Sequence, residues 1–377
     1  MDHGLLLPVE ARRVGFVTGH VLSWADACGR RGPMSGGNGA SDKRGATIYD
    51  VARMAGVSHQ TVSRFLAGKG GLRPRNRERV EAALKELNYR RSQTARSLAT
   101  SRTYRLAALG YELSGTGPGK MMQGASQVAR AAGYSLDIVS LDPVDDGDLT
   151  DALDLLGNRD IEGILATAPT EALDHALEGL RTDAPVVVVR DADLPERPEA
   201  DGVDPVGVHA LMRHLTDLGH RRIAHLGGPP AWVAARQRAD AYAHAMRAAG
   251  LEPLAVAAGD WSSRSGYAAA PEVLAPGGVT AVVAANDRLA LGLMLWLHEQ
   301  GIAIPGEVSV VGYDDVPEAA FFHPPLTTVH LDFQAIGAAA MRSLITMIEQ
   351  PDVDARPRFP VPELVPRASS GPAPELP

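Results

Sequence analysis

The residues best equipped for recognition chemistry sit between Thr47 and Leu66: His59, Gln60, Ser63 and Arg64. Amide and guanidinium groups can each make two parallel hydrogen bonds to one base edge, worth about 1–3 kcal/mol of discrimination per pair. Gln60 and Arg64 therefore carry most of the expectation of base reading. Thr61 and Ser63 suit phosphate contacts or local hydroxyl caps equally well. Arg53, Arg73, Arg75 and Arg77 suit either phosphates or a solvated basic face.

A second group of polar residues is scattered through the remainder: Asp191, Arg236 and Arg238, Asn286 and Asp287, and Asp314 and Asp315. The last two are the nearest approach to paired catalytic carboxylates. A glycosidase needs two such groups flanking one bond, about 5–9 Å apart. Neighbours at a strand end point in different directions, which argues against hydrolysis. No G-x-S-x-G elbow, phosphate loop or H-E-x-x-H motif is present. His209, His214, His220 and His225 are spaced by 5, 6 and 5, which suits no single face, and no metal site or cofactor is expected. Carboxylate, amide and guanidinium groups together suit a hydroxyl-rich ligand.

The elements that must position the first group read as two short helices around a glycine turn. Thr47 caps the first helix, with Asp50 completing a capping box. Val51, Ala52 and Ala55 form its apolar face, and Gly56 permits the bend. Ser58 caps the second helix, which buries Val62, Phe65 and Leu66 and leaves His59, Gln60, Ser63 and Arg64 on the other side. A third helix starts with Pro74 at its first position and carries Val80, Ala83, Leu84 and Leu87, with Leu72 and Tyr89 as further core.

Charge is divided sharply along the 377 residues. Residues 43–105 hold 15 Lys/Arg against 4 Asp/Glu, while residues 106–377 hold 18 against 37. A basic head on an acidic body confines a nucleic-acid footprint to one module. The single cysteine, Cys28, excludes an internal disulfide framework and fits a reducing cytoplasm. No run of 18 apolar residues is present, so no membrane partner is expected.

From Leu106 the pattern changes to apolar runs alternating with amphipathic stretches. Leu106–Gly110, Ser135–Val139, Ile161–Ala166 and Val186–Val189 read as buried parallel strands, with helices near 121–132, 148–157 and 171–181. A second series has strands at Arg222–Leu226, Leu254–Ala257, Ala281–Ala284 and Val308–Val311. Its helices lie near 236–249, 264–274 and 287–300. The predicted fold class is an all-α helix-turn-helix head followed by an α/β core of two doubly wound parallel-sheet lobes. Ligands of such folds bind outside the carboxyl ends of the strands, where the second polar group falls.

The expected divisions are a disordered leader at 1–42, with Met34 as a natural start, a DNA-binding head at 43–90, a hinge helix and linker at 91–104, and a core at 105–370. Within the core, one lobe takes 105–202 and 330–355, the other 203–329 and 356–370. Residues 371–377 are expected to form a disordered tail without a leucine heptad.

The chain resembles the lactose-repressor/galactose-repressor (LacI/GalR) family of bacterial transcription regulators. The resemblance rests on Thr47–Leu66, Ala95–Leu98, Leu218–Ala224, Ala285-Asn286-Asp287, Ser309–Asp315 and Pro325–Val329, in family order. It implies a homodimeric cytoplasmic repressor, not an enzyme, with a periplasmic-binding-protein-like core. Such a repressor would be released from palindromic operator DNA by a small-molecule sugar. On the DNA side it implies contacts from Ile48, Tyr49, Ser58, His59, Gln60, Thr61, Ser63 and Arg64, and a hinge helix at Ala95–Leu98 whose Leu98 wedges into the minor groove. On the effector side it implies Asp191, Arg238, Trp261, Asn286, Asp314 and Phe333. Gly259-Asp260-Trp261-Ser262 resembles the β-galactoside branch, where the tryptophan stacks on the sugar. Three departures stand out: Arg190 where many members carry an acid, a Gly-rich loop at 112–120, and Arg91-Ser92 for the usual Pro-Asn. A purine-type corepressor response is the alternative within the family. A sugar-binding receptor or a sugar-processing enzyme are the alternatives outside it.

Overall fold

The computed structural model describes residues 46–66, 72–89, 102–111, 115–141, 160–190, 206–254 and 256–375, together with Ser97, Thr100, Leu113 and Ala152. The contacts divide the chain after Arg90 into two units, a head and a core. Ala95, Leu98, Asp191, the leader, most of the linker and most of the stretch predicted helical at 148–157 lie outside the described residues.

The head holds three helices, α1 (Ile48–Ala55), α2 (His59–Leu66) and α3 (Pro74–Glu86). Thr47 and Asp50 form the capping box, and Gly56 takes the left-handed conformation (φ 60°) that lets the chain turn within three residues. Val51, Ala52, Ala55, Val62, Val80 and Ala83 make the core, with Phe65, Leu66, Leu72 and Tyr89 packed around it. Arg73 at the start of α3 supplies no side-chain cap, and Pro74 follows directly.

The core contains two four-stranded sheets, parallel throughout. The first has the order β2-β1-β3-β4, from β1 (Arg105–Tyr111), β2 (Ser135–Leu141), β3 (Gly163–Thr167) and β4 (Val186–Val189). Helices α4 (Thr116–Ala131) and α5 (Glu171–Glu178) belong to this lobe. Helix α6 (Val206–Asp217) opens the second lobe. Its sheet has the order β6-β5-β7-β8, from β5 (Ile223–Gly227), β6 (Val256–Ala258), β7 (Ala281–Ala284) and β8 (Ser309–Val311). Helices α7 (Val233–Ala248), α8 (Ser263–Leu274) and α9 (Asp287–Glu299) alternate with these strands. Central strands are buried on both sides, as in Leu106–Leu109 and Ala281–Ala284, which is why they read as continuous apolar runs rather than alternating ones.

Beyond β8 the chain forms a short 3-10 turn (Pro317–Phe321), then β9 (Thr328–His330), α10 (Phe333–Glu349) and β10 (Glu363–Val365), which pairs antiparallel with β9. Helix α10 packs on α4, β3 and β4, so it completes the first lobe from far along the chain. None of α6, β9, α10 and β10 is among the elements read from the sequence. The chain end differs from expectation. His220 Nε2 lies 3.0 Å from the Gly371 carbonyl, Gly371 N donates to Ser309 Oγ at 3.1 Å, and Ala373 N donates to the Leu218 carbonyl at 2.8 Å. Residues 371–373 are thus held in place rather than disordered, because buried His220 requires a partner.

Candidate functional site

On the head, helix α2 has one buried side and one open side. Val62 is fully buried, whereas Ser58, His59, Gln60, Ser63 and Arg64 are exposed. Tyr49 of α1 is 61% exposed and its ring lies 5.2 Å from that of His59, so the two helices share one polar surface. Ile48 is half-buried against the head core. Ser58 Oγ accepts from Thr61 N at 3.1 Å and lies 2.9 Å from Thr61 Oγ1. Thr61 thus takes part in the Ser58 cap. The open side, with a glutamine and an arginine one turn apart, has the donors and acceptors for base edges at the start of a recognition helix.

In the core, a cleft of about 170 Å³ opens at the carboxyl ends of both sheets. One wall comes from the first lobe: Tyr111 at the end of β1, Gly115–Pro118 at the start of α4, Thr167 of β3 and Arg190 after β4. The other comes from Trp232, Arg238, Trp261, Asn286, Arg288 and Asp314 of the second lobe, and Phe333 at the start of α10 closes it. Five of the six expected effector residues therefore meet in one cavity. The sixth, Asp191, is outside the described residues.

Arg238 is 8% exposed. Its guanidinium donates to the Ala285 carbonyl at 2.6 Å, lies 3.8 Å from Asp314 Oδ1 and sits 4.0 Å above the Tyr313 ring. Three partners fix its plane, so its remaining donors are aimed rather than mobile. Trp261 has a positive φ of 70°. Its ring rests on Gly228, where any Cβ would overlap it, and its edge meets Trp232 at 5.8 Å. Its Nε1 is buried without a hydrogen-bond partner among the described residues. Such a donor costs about 1–3 kcal/mol, which an acceptor on a ligand would recover. Asn286 caps α9 through Leu289 N at 2.8 Å and donates its amide to the Trp261 carbonyl at 3.2 Å. It is thus a positioning residue on the cleft wall.

The adjacent acids take different partners. Asp314 lines the cleft opposite Arg238, whereas Asp315 is bound by Arg367 at 2.7 Å and by His330 at 3.0 Å. Asp287 is fully buried, accepting from Thr328 Oγ1 at 2.5 Å and Val316 N at 2.8 Å. Burial, reinforced by the charge of Asp314, pushes its carboxyl up to about 8. The histidines serve separate purposes. His214 meets Ser370, His220 meets Thr280 and Gly371, and His225 meets the Val283 carbonyl while stacking on Tyr242.

Sequence reasoning passed over Trp232, Arg288 and Thr167 as cleft residues. Each follows or ends a strand at its carboxyl end, the one signal that could have found them. Arg236 holds its own loop and reaches the other lobe. It donates to the Pro230 and Ala231 carbonyls at 2.9 and 3.1 Å and pairs with Glu171 of the other lobe at 2.5 Å. Beside it, Val233 N donates to the Pro169 carbonyl at 2.9 Å and Thr170 bridges Trp232, so the lobes touch along this rim. Among the described residues, no helix is long and apolar enough to cross a membrane.

Residues 47–92 match the family described as bacterial regulatory proteins, lacI family, and residues 212–370 match the periplasmic binding protein-like domain. The lactose operon repressor of Escherichia coli is 32% identical over 319 residues, covering 84% of this chain and 88% of that protein. The repressor PurR of Vibrio cholerae is also 32% identical, over 85% of this chain and 97% of its own length. The ribose operon repressor of Escherichia coli is 31% identical over 86% of this chain and all of its own. Among solved structures, the lac repressor dimer bound to operator and the anti-inducer ONPF superposes with a TM-score of 0.73 at 29% identity, over 87% of this chain and 100% of that one. With a helix-turn-helix head, two parallel-sheet lobes and relatives that match it along most of their length, this chain belongs to the LacI family of bacterial regulatory proteins.

Proposed function

We propose that the protein is a transcriptional repressor of carbohydrate-utilisation genes, held on a near-palindromic operator as a homodimer and released by a sugar. The observation that carries the sugar reading is the cleft itself. Arg238 and Asp314 face each other as donor and acceptor, and Trp261, Trp232 and Phe333 supply apolar faces for the C–H surface of a ring. The Gly259–Ser262 context of Trp261 favours a galactoside or related glycoside. DNA reading falls to Ile48, Tyr49, Ser58, His59, Gln60, Thr61, Ser63 and Arg64, with Ala95 and Leu98 as hinge contacts in the minor groove. Such a protein works in the cytoplasm, where its operator is.

The second copy is assigned to the face of α9 that carries Leu291 and Leu295, 40% and 51% exposed and one turn apart, with Tyr267 and the 87% exposed Phe321 as further apolar surface. A twofold dimer sets two heads on one side of the duplex, which is what a palindromic site requires. Ligand then changes lobe geometry and, through the hinges, head alignment. A tenfold release needs the effector to discriminate between the two states by only about 1.4 kcal/mol.

A purine-type corepressor response is the second reading, supported by the equal identity to PurR and by aromatic walls that would also accept a nucleobase. Selection of bound DNA from a random pool, repeated with galactosides, glucosides and nucleobases, separates the two. A palindrome lost on adding a glycoside supports the proposal. Tighter binding with a nucleobase supports the corepressor, and no enriched sequence would count against both.

A further inference from the structure

We propose that the effector is an acidic sugar, one whose ring carries a carboxylate or phosphate group received by the cationic side of the cleft. The inference rests on the sugar reading above and narrows its ligand class.

The cleft is rich in donors and poor in acceptors. Among the described residues three arginines line it, Arg190, Arg238 and Arg288, against one carboxylate, Asp314. Asp314 faces Arg238 at 3.8 Å. Arg190 is held by Asp174 in a two-pronged pair, with 2.8 Å from Nε to each carboxylate oxygen and 2.6 Å from Nη2 to Oδ1. Arg288 is exposed at the cleft and has no acidic partner among the described residues. Once the pairs among the described residues cancel, one guanidinium charge is left over among them.

Two further donors add to it. Helix α4 begins at the cleft with Gly115 as its cap residue, which supplies no side-chain cap. The 16 residues of this helix present the positive end of its dipole beside Gly117. On the opposite wall, the buried Trp261 Nε1 has no partner among the described residues. Among the described residues, nearby acids do not balance these groups. Glu171 and Asp174 are engaged by Arg236 and Arg190, and the burial of Asp287 favours its neutral form.

The hydroxyls of a neutral sugar each bring a proton that needs an acceptor, and among the described lining residues Asp314 is the one carboxylate able to take it. A carboxylate or phosphate is acceptor-only and charged, so it satisfies guanidinium, amide and indole donors without adding protons to place.

The test is isothermal titration of the full-length protein with matched pairs: galactose against galacturonate, glucose against glucuronate, and glucose against glucose 6-phosphate. In at least one pair the acidic member should bind tenfold or more tightly at low salt, with the gap narrowing as salt screens the exposed Arg288. The pair that shows the gap identifies the anion as carboxylate or phosphate. In R288Q the gap should shrink at least threefold, the acidic member losing affinity by a larger factor than the neutral one. Neutral members that bind as well as or better than acidic ones in every pair would overturn the proposal and leave the sugar reading standing. An unchanged gap in R288Q would overturn the cationic docking argued here. No binding by any of these sugars would remove both readings.

Discussion

Asn286 and Trp261 are joined by a hydrogen bond of 3.2 Å from the Asn286 amide to the Trp261 carbonyl, while the other end of the same side chain caps α9. One residue therefore sets both the start of a helix and a tryptophan with positive φ. Asn286→Ala should remove the cap, at a cost of about 1 kcal/mol, and free the Trp261 backbone. Chemical denaturation should show the stability loss. Titration followed by tryptophan fluorescence should show a larger loss of ligand affinity than stability alone explains; an unchanged affinity would confine Asn286 to the cap.

Arg64 is exposed on the open side of α2, beyond the head core. Arg64→Ala should leave the fold intact and weaken operator binding by about 1–3 kcal/mol, with ligand affinity unaltered. Fluorescence anisotropy on the selected operator and on a scrambled duplex checks this. Equal loss on both would make Arg64 a phosphate contact rather than a base reader.

Leu291 and Leu295 lie four residues apart on α9 and are exposed in the single chain. Leu291→Lys should shift sedimentation from dimer to monomer and lower operator affinity at least tenfold, because each monomer then offers one head. A dimer that persists would move the interface elsewhere.

Arg236 and Glu171 join the two lobes at an exposed ion pair. Exposed pairs contribute about 0–1 kcal/mol, so Arg236→Ala should change thermal stability little. Its effect should appear in ligand exchange, as faster dissociation and a severalfold weaker affinity, because the rim also loses the bonds to Pro230 and Ala231. Stopped-flow fluorescence measures the rates.

Two buried groups set opposite dependences on pH. Burial pulls His225 down to about 4 from 6.5, so the folded state holds fewer protons than the unfolded state between those values, and stability rises with pH across them. The full span is on the order of 3 kcal/mol. Asp287, pushed up to about 8 from 3.8, keeps its proton longer in the folded state, so stability falls as pH rises through that window. Above 6.5 only the Asp287 effect remains of the two. Asp287→Asn should flatten the decline in melting temperature between pH 6.5 and 8, and His225→Leu should lessen the loss below 6.5. A decline unchanged in the asparagine variant would assign it to other groups.

Local chemistry was legible in the sequence wherever a residue acts on its own neighbours. The Thr47–Asp50 capping box, the Gly56 turn and the Ser58 cap all depend on contacts within four residues, and the spacing of Val51, Ala52 and Ala55 marks the face that packs on the other two helices. Strands such as Leu106–Leu109 and Ala281–Ala284 were legible because burial on both sides demands unbroken apolar runs. The polar residues at strand ends followed from the rule that open parallel sheets bind ligands there. What remained hidden depends on distant partners. Helix α10 joins the first lobe because its face fits α4, and no local pattern names that partner. Residues 371–373 are ordered by buried His220, Ser309 and Leu218, far back in the chain. Trp261 stands on the cleft wall because Gly228 leaves room for its ring and Asn286 holds its carbonyl. Asp314 and Asp315, alike in sequence, differ in role because Arg238 reaches one and Arg367 the other. Spacing determined which residues could cooperate along one element; only the tertiary structure decided which charges face each other across the cleft, since charge pairing depends on distance in space and not along the chain.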